Sequence, residues 1–148
     1  MKLYLDSAYI AKCYLREPGS DAVLDLVESS TIRTSSLLAA VEVSAVFHRH
    51  FREGNLSPQA FRKAKRLFES DRENGMWDWI PLTEEIVNNA AAEFDRFARS
   101  IFLRSADCLH LVSARHAGFK KIHSNDRHLL AAAPHFNLQG CDVIAGKK

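Results

Sequence analysis

Residues 2–6 read Lys2-Leu3-Tyr4-Leu5-Asp6. The run predicts a β-strand over Lys2–Leu5 that turns at Asp6. Apolar residues at helical spacing follow from Ala8 to Leu15. The chain is therefore predicted to open with a strand and then a helix, and a carboxylate stands where the first strand ends.

Predicted strands and helices alternate along the rest of the chain. Further strands are predicted over Thr31–Ser35, Trp77–Leu82 and Lys121–Ser124, and near Asp142–Ala145. The predicted helices run from Ser20 or Asp21 to about Glu28, from Leu37 to about Glu53, from Pro58 to about Arg72 after Ser57 as N-cap, from Thr83 to about Arg99, from Ser105 to Gly118, and from Asp126 to Ala133. This alternation predicts a single α/β domain over residues 1–148. Its mainly parallel central sheet of about five strands would lie between two layers of helices.

The composition is that of an ordinary folded domain. The chain has 148 residues, of which 47% are hydrophobic and 26% charged, which excludes collagen-like, low-complexity and largely disordered classes. No apolar run approaches the roughly 20 residues of a membrane span, and the first residues lack a signal-peptide layout, so we expect a cytoplasmic protein without membrane contact. Cys13, Cys108 and Cys141 are too widely spaced for a disulfide framework or a zinc knuckle, and we expect reduced thiols.

Four acidic residues occupy unusual positions for a carboxylate. Two lie in apolar helices, where burying a charge is energetically unfavourable, and two lie at strand ends, where α/β proteins bind ligands. Glu42 lies within Leu37–Phe47, a predicted helix that is apolar almost all round, and Asp107 lies in a similar apolar run near the start of its helix. Asp6 and Asp126 each follow an apolar strand, at the end where open α/β sheets bind ligands. We therefore predict that the four carboxylates converge on one crevice.

Each acid also has an ordinary structural explanation when it is taken alone. Asp6 and Asp126 could cap helices, Asp107 could gain from a helix dipole, and Glu42 could pair with an arginine such as Arg104. Four like charges about 4 to 8 Å apart, however, repel by several kcal/mol in total, so the cluster requires cations or raised pKa values. Oxygen ligands favour Mg²⁺ or Mn²⁺. Such an ion can lower the pKa of an attacking water and offset charge on a leaving phosphodiester oxygen, which is nuclease chemistry.

The charge outside these four acids is clearly basic. The whole chain carries a net charge of +2 from 20 basic and 18 acidic residues, so without the four acids 14 acidic residues remain and the net charge is +6. Basic side chains concentrate in residues 49–66 at Arg49, Arg52, Arg62, Lys63, Lys65 and Arg66, against Glu53 alone. This stretch is either a surface that tracks nucleic-acid phosphates or a pair of solvated helices.

Four segments of the chain resemble the PIN-domain family, and more narrowly its VapC-type toxins of toxin–antitoxin systems. They are Leu3–Ala8 with Arg16–Ser20, Ser35–Arg49 around Glu42, Arg104–Leu111 around Asp107, and Ser124–Leu129 around Asp126. The similarity covers essentially the whole chain, and Ser124 stands where the family usually has Thr or Ser. Ala8 and Cys108 depart mildly from the family, which often has a hydroxyl residue and an Ala at these places.

The resemblance implies a metal-dependent endoribonuclease with a three-layer fold, which forms a homodimer. It also implies inhibition by a small VapB-like antitoxin whose tail occupies the active-site groove. Carried over by position, the catalytic and metal-binding acids would be Asp6, Glu42, Asp107 and Asp126. Ser7 and Ser124 would be supporting polar groups, and we expect Arg104 to orient a phosphate or a carboxylate.

Two other functions are open to a chain with these residues. A non-catalytic PIN-like module that binds nucleic acid or protein is the main alternative, because metal ligands alone do not prove turnover. A dehalogenase-like phosphatase is disfavoured, because Ala8 stands where that mechanism needs a second Asp. His110, three residues after Asp107, is interpreted as a partly buried histidine with satisfied ring nitrogens. The sequence leaves open the RNA target, the bond cut, RNA against DNA, and the number of metal ions.

Overall fold

A computed structural model describes residues 1–145 of the chain, and short parallel strands form the centre of these residues. The strands are β1 (Lys2–Tyr4), β2 (Ile32–Ser36), β3 (Asp78–Ile80), β4 (Lys121–His123) and β5 (Gln139–Cys141). Strand β2 pairs with β1 on one side and with β3 on the other, and β4 pairs with β5. A parallel bridge between Leu5 and His123 joins the two groups, which gives the spatial order β3-β2-β1-β4-β5.

Helices occupy most of the chain between these strands. They are α1 (Ser7–Lys12), α2 (Ser20–Glu28), α3 (Leu38–Arg52), α4 (Pro58–Glu73), α5 (Glu84–Glu93), α6 (Ser105–His116) and α7 (Arg127–Ala132), followed by a 3₁₀ helix at Ala133–Phe136. Ser57 caps α4 by accepting a hydrogen bond from the Ala60 backbone, and Thr83 caps α5 in the same way through Ile86, as predicted.

The central sheet is covered by helices on both faces because its side chains alternate. Leu3 and Leu5 point into a core with residues of α1, α2, α3 and α4. Tyr4, between them, points into a second core with residues of α5, α6 and α7. Since successive side chains of a strand face opposite sides, β1 must lie between two layers of helices. The predicted three-layer α/β/α fold is confirmed.

Helix α5 is shorter than predicted. We expected it to reach about Arg99, but it ends at Glu93. The backbone N–H groups of residues 94–96 bond to carbonyl groups three residues back rather than four, which tightens the chain into a turn. The turn brings Phe97 against Phe136, with ring centroids 5.7 Å apart. Tertiary packing therefore ends a helix that the local sequence pattern would continue.

The last strand also differs from its predicted position near Asp142–Ala145. It lies earlier, at Gln139–Cys141. The Asp142 carboxylate accepts hydrogen bonds from the Tyr9 hydroxyl and the Ile144 backbone, both at 2.9 Å, which makes this segment a turn. Gly140 lets β5 approach α7 closely, since a Cβ there would lie 2.8 Å from a side-chain atom of that helix. A glycine-centred strand carries little of the apolar pattern that predicts strands.

Within residues 1–145 we find no helix with the length and hydropathy needed to cross a bilayer.

The turn before α2 depends on a glycine. Gly19 has a φ of +91°, and a Cβ at this position would lie 2.6 Å from the Ile144 side chain. Gly54 has a similar φ of +80°, with no described atom within 4 Å of its Cβ position.

We expect Gly19→Ala to lower the free energy of unfolding by about 2 to 3 kcal/mol, from left-handed strain and the contact with Ile144. The matched Gly54→Ala should cost only about 1 to 2 kcal/mol, since it carries the backbone strain alone. Urea unfolding of both variants measures the difference. Equal losses would show that Ile144 moves aside freely.

Candidate active site

Asp6 lies at the centre of the strand edge where the predicted acids gather. Its backbone N–H donates to the His123 carbonyl at 3.0 Å, which ties the end of β1 to β4. Its side chain caps α1, accepting from the Tyr9 backbone at 3.0 Å, and it also accepts a short hydrogen bond from the Ser124 hydroxyl. Only 5% of Asp6 is exposed. The capping interpretation of Asp6 is therefore correct, and the cap also holds the carboxylate at the sheet edge.

Ser124 connects Asp6 to Asp126. While its hydroxyl donates to Asp6, its oxygen accepts from the Asp126 backbone N–H at 2.9 Å. Asp126 caps α7, with one carboxylate oxygen accepting from the backbones of His128 at 2.9 Å and Leu129 at 3.0 Å. Two acids that are 120 positions apart in the sequence thus share one serine.

Arg104 joins Asp126 to the third acid. Its Nε donates to Asp107 at 2.8 Å and its Nη2 donates to Asp126 at 2.5 Å. Asp107 lies in the first turn of α6 with its side chain 12% exposed, whereas the Arg104 side chain is 56% exposed. The guanidinium group therefore reaches from solvent to bridge two carboxylates. The expectation that Arg104 could pair with Glu42 is wrong, because its partners are Asp107 and Asp126.

Glu42 approaches the same region from the opposite layer of helices. It lies on α3, and its Oε1 is 2.6 Å from Nε2 of His110 on α6. His110 is one turn beyond Asp107 on that helix, and its other ring nitrogen is 2.8 Å from the Tyr4 hydroxyl. Helices from both faces of the sheet thus bring carboxylates to the end of β1.

The charges of these groups act on one another. Burial raises the pKa of Asp6 to about 6; the hydrogen bond from Ser124 opposes that rise and the charge of Asp107 adds to it. Burial also raises the pKa of Asp107, against the Arg104 hydrogen bond, and the charge of Asp126 contributes to this rise. Burial disfavours ionised Asp126 as well, but hydrogen bonds from Leu129 and the charge of Arg104 outweigh it and lower its pKa. Asp6, Asp107 and Asp126 therefore share one electrostatic environment.

The donor set is chemically suited to a hard divalent cation, although its present spacing is loose. All four acids offer carboxylate oxygens, the ligands that Mg²⁺ and Mn²⁺ prefer. Oε2 of Glu42 and Oδ1 of Asp107 enter none of the hydrogen bonds found within residues 1–145. In the same residues no three His, Cys, Asp or Glu side chains stand close enough together to hold a metal ion. Arg104 supplies the positive charge between two of the acids instead.

The other predicted residues lie at or beyond the edge of this cluster. Ser7, half-buried, follows Asp6 directly as the first residue of α1. The side chains of the predicted nucleic-acid surface are exposed on the end of α3 and on α4: Arg49, Arg52, Arg62, Lys63, Lys65 and Arg66. Along α3, Arg49 and Arg52 are roughly 10 to 15 Å beyond Glu42 at 1.5 Å per residue. Arg49 and Arg52 therefore lie about two to three helical turns from Glu42 and not among the acids.

Sequence reasoning missed the part played by His110 and Tyr4. It interpreted His110 as a partly buried histidine with satisfied ring nitrogens; both nitrogens do have partners, but the side chain is only 1% exposed and one partner is Glu42. Its position three residues after Asp107, on the same helix face, was the available signal. Tyr4 gave no signal of its own, because an aromatic residue inside a strand is ordinarily part of the core.

Comparison with known proteins gives one family and several similar structures. The PIN domain family model matches residues 3–134. The crystal structure of Mycobacterium tuberculosis VapC20, a sarcin-ricin loop cleaving toxin, is similar with a TM-score of 0.70 and 14% identity, over 88% of this chain and 94% of that chain. No curated protein matches the sequence.

Two further solved structures share the fold. FitAB bound to an IR36 DNA fragment has a TM-score of 0.66 and 12% identity, over 97% of this chain and 95% of that chain. FitAcB from Neisseria gonorrhoeae has a TM-score of 0.66 and 15% identity, over 97% of this chain and 98% of that chain. At these identities the likeness concerns the fold.

The raised pKa of Asp6 predicts how stability depends on pH. A carboxyl group with a pKa raised from 3.8 to about 6 favours the folded state when protonated, and that contribution is lost as pH rises through this range. Between about pH 4 and pH 6, the wild-type protein should lose up to about 3 kcal/mol relative to Asp6→Asn. Urea unfolding across a pH series, with a chelator present, measures the difference between the two proteins.

A second variant tests the cause of this shift. Ser124→Ala removes a hydrogen bond that lowers the pKa of Asp6, so the loss of stability should move to higher pH. If wild-type and Asp6→Asn proteins instead showed parallel pH profiles, Asp6 would titrate alike in the folded and unfolded states.

Proposed function

We propose that this chain, which belongs to the PIN-domain family, is a metal-dependent endoribonuclease toxin of a type II toxin–antitoxin system. In this proposal it hydrolyses RNA phosphodiester bonds and is neutralised by a cognate VapB-like antitoxin. The observation that carries the proposal is the gathering of Asp6, Asp107 and Asp126 through Ser124 and Arg104, with Glu42 reaching the same strand edge. The charge of Asp107 raises the pKa of Asp6, and the charge of Asp126 raises the pKa of Asp107.

The four acids would hold Mg²⁺ or Mn²⁺ in this proposal. When bound, such an ion supplies positive charge and Lewis acidity to phosphodiester hydrolysis. Glu42 and Asp107 each have one carboxylate oxygen without a described hydrogen bond, and these are the readiest donors. The hydrogen bonds from Ser124 and Tyr9 keep Asp6 fixed at the strand edge, and the backbone of α7 fixes Asp126.

Arg104 would orient the substrate. Its guanidinium group is more than half exposed and lies beside two acids, so it can donate to a phosphate oxygen that approaches them. Ser7 and Ser124 would be supporting polar groups beside Asp6. The basic side chains of α3 and α4, Arg49, Arg52, Arg62, Lys65 and Arg66, would contact the RNA backbone farther from the cut.

Two exposed apolar side chains lie close in sequence to residues of the candidate site, and a protein partner could cover them. Val41, next to Glu42 on α3, is 69% exposed, and Phe102, close in sequence to Arg104, is 58% exposed. Phe102 also packs against His128 of α7, with ring centroids 4.5 Å apart. A contiguous patch of exposed apolar side chains is typical of a surface that another chain covers. We assign this surface to the antitoxin or to the second subunit of a homodimer.

The proposal places the protein in the cytoplasm, where RNA is available. Cys13, Cys108 and Cys141 are free thiols, which agrees with a reducing compartment.

A non-catalytic PIN-like module that binds nucleic acid or protein is the alternative function. The two differ in one measurable respect, because only the nuclease consumes its substrate. Within residues 1–145 no three of the acids stand close enough together to hold a metal ion, and Arg104 pairs with two of them. If the protein binds no divalent cation, these two features favour the alternative function.

The proposed chemistry predicts that each of the four acids is needed for cleavage. Asp6→Asn, Glu42→Gln, Asp107→Asn and Asp126→Asn should each slow RNA cleavage at least about 100-fold, because each removes a charged ligand while keeping the side-chain size. Cleavage by the wild-type protein should require Mg²⁺ or Mn²⁺ and stop with a chelator. The measurement is gel analysis of a labelled mixed-sequence RNA, with single-stranded DNA of the same sequence in parallel.

A matched control is Asp21→Asn, whose side chain is 88% exposed on α2, and this variant should cleave as the wild-type protein does. An Asp6→Asn preparation that cut RNA at the parental rate would refute the mechanism.

The toxin–antitoxin proposal predicts an effect on growth. Expression of the wild-type chain in bacteria should slow growth, whereas Asp6→Asn should not, because the effect requires RNA cleavage. Co-expression of a cognate antitoxin gene should restore growth. Growth curves with immunoblots of both proteins test this, and normal growth at a verified level of wild-type protein would favour the binding module.

A further inference from the structure

A buried chain of hydrogen bonds reaches Glu42 from the central sheet. The Ser36 backbone N–H donates to the Tyr4 hydroxyl at 3.1 Å, and this hydroxyl lies 2.8 Å from Nδ1 of His110. Nε2 of His110 then lies 2.6 Å from Oε1 of Glu42. This chain of hydrogen bonds therefore connects β2, β1, α6 and α3 through consecutive contacts.

The direction of these hydrogen bonds follows from Tyr4. Burial raises the pKa of Tyr4 far above its usual range, so the phenol keeps its proton. The Tyr4 hydroxyl has two hydrogen-bond partners, and because the Ser36 N–H can only donate, we assign the phenol proton to Nδ1 of His110. The ring then carries its hydrogen on Nε2 and donates it to the Glu42 carboxylate. The Tyr4 hydroxyl, both ring nitrogens of His110 and Oε1 of Glu42 then all have complementary partners.

The side chains that form these hydrogen bonds are also tightly packed. Tyr4 has no exposed surface and His110 is 1% exposed, and their rings pack edge to face with centroids 5.9 Å apart. Phe119 packs against the other side of Tyr4, with a centroid distance of 5.6 Å. Neither ring can contact an RNA substrate from this position. The charge of His110 also influences Asp6 and Asp107, but the acid with which its ring shares a hydrogen bond is Glu42.

We propose that His110 is a positioning residue for Glu42: it holds Oε1 through Nε2 and leaves Oε2 as the donor for a divalent cation, while Tyr4 fixes the ring. The proposal rests on the function proposed above. A carboxylate on a helix samples several rotamers, and a ligand held in one of them binds a cation with less loss of side-chain entropy. Glu42 differs in this from Asp6 and Asp126, which backbone N–H groups of their own helices hold in place.

Two amide variants of His110 separate its two contacts. The amide nitrogen of Gln can occupy the place of Nε2 and still donate to Glu42, whereas Asn is shorter and reaches only toward Tyr4. We expect His110→Asn to weaken Mn²⁺ affinity about tenfold or more, and His110→Gln to stay within about threefold of wild type. Titration calorimetry of the apoprotein with Mn²⁺ measures both affinities, and circular dichroism confirms that both variants fold.

A double-mutant cycle with Glu42→Gln shows whether His110 acts through Glu42. In the Glu42→Gln background, adding His110→Asn should change Mn²⁺ affinity less than about threefold, since the group that it positions is already lost. The same loss in both backgrounds would mean a general structural role and would overturn the proposal. Wild-type affinity in a folded His110→Asn protein would overturn it as well.

The wild-type protein gives a test that needs no variant to fold. The ¹⁵N resonances of the His110 ring should show a hydrogen on Nε2 and none on Nδ1 in the metal-free protein. A hydrogen on Nδ1 would contradict the proposed chain of hydrogen bonds from Tyr4 through His110 to Glu42, which we call the relay. If the wild-type protein bound no Mn²⁺, the proposed function and the relay would fail together. If Glu42→Gln abolished binding and His110→Asn did not, the relay alone would fail.

Discussion

Repulsion between buried carboxylates is the constraint on which the rest of this structure depends. Negative side chains that share a poorly solvated edge of a sheet persist only with compensating donors or cations. Here the compensation comes from backbone N–H groups for Asp6 and Asp126, from Arg104 for Asp107 and Asp126, and from His110 for Glu42. A guanidinium group, a serine hydroxyl and a buried imidazole all contact carboxylates in this one small region. Such an arrangement is difficult to explain as packing alone.

The architecture was largely predictable because it rests on short-range patterns. The alternation of strand-like and helix-like segments indicates a parallel sheet, and the caps Ser57 and Thr83 were predicted at the positions where they occur. The predicted bounds of helices and strands are wrong where contacts between distant parts of the sequence determine them. The end of α5 depends on the packing of Phe97 against Phe136, and β5 depends on the close approach of Gly140 to α7. No local pattern contains those contacts.

The candidate site was predictable to a similar degree, for a related reason. Carboxylates after strands or within apolar helices stand out in a sequence, so Asp6, Glu42, Asp107 and Asp126 could be named before any contact was known. The hydrogen-bond partners of these acids could not be predicted from the sequence. Arg104 could have neutralised any of several acids, and which of them it contacts depends on where α6 and α7 meet. The link from Tyr4 through His110 to Glu42 joins residues up to 106 positions apart, which no spacing rule covers.

The single bridge between Leu5 and His123 has a consequence for the order in which the molecule is completed. One half of the sheet is made of β1, β2 and β3, while β4, which ends directly before Ser124, comes near the other end of the chain. During synthesis a ribosome would release Asp6 and Glu42 long before their counterparts exist. An unfinished polypeptide therefore lacks the assembled acidic cluster, and the last quarter of translation brings the halves together.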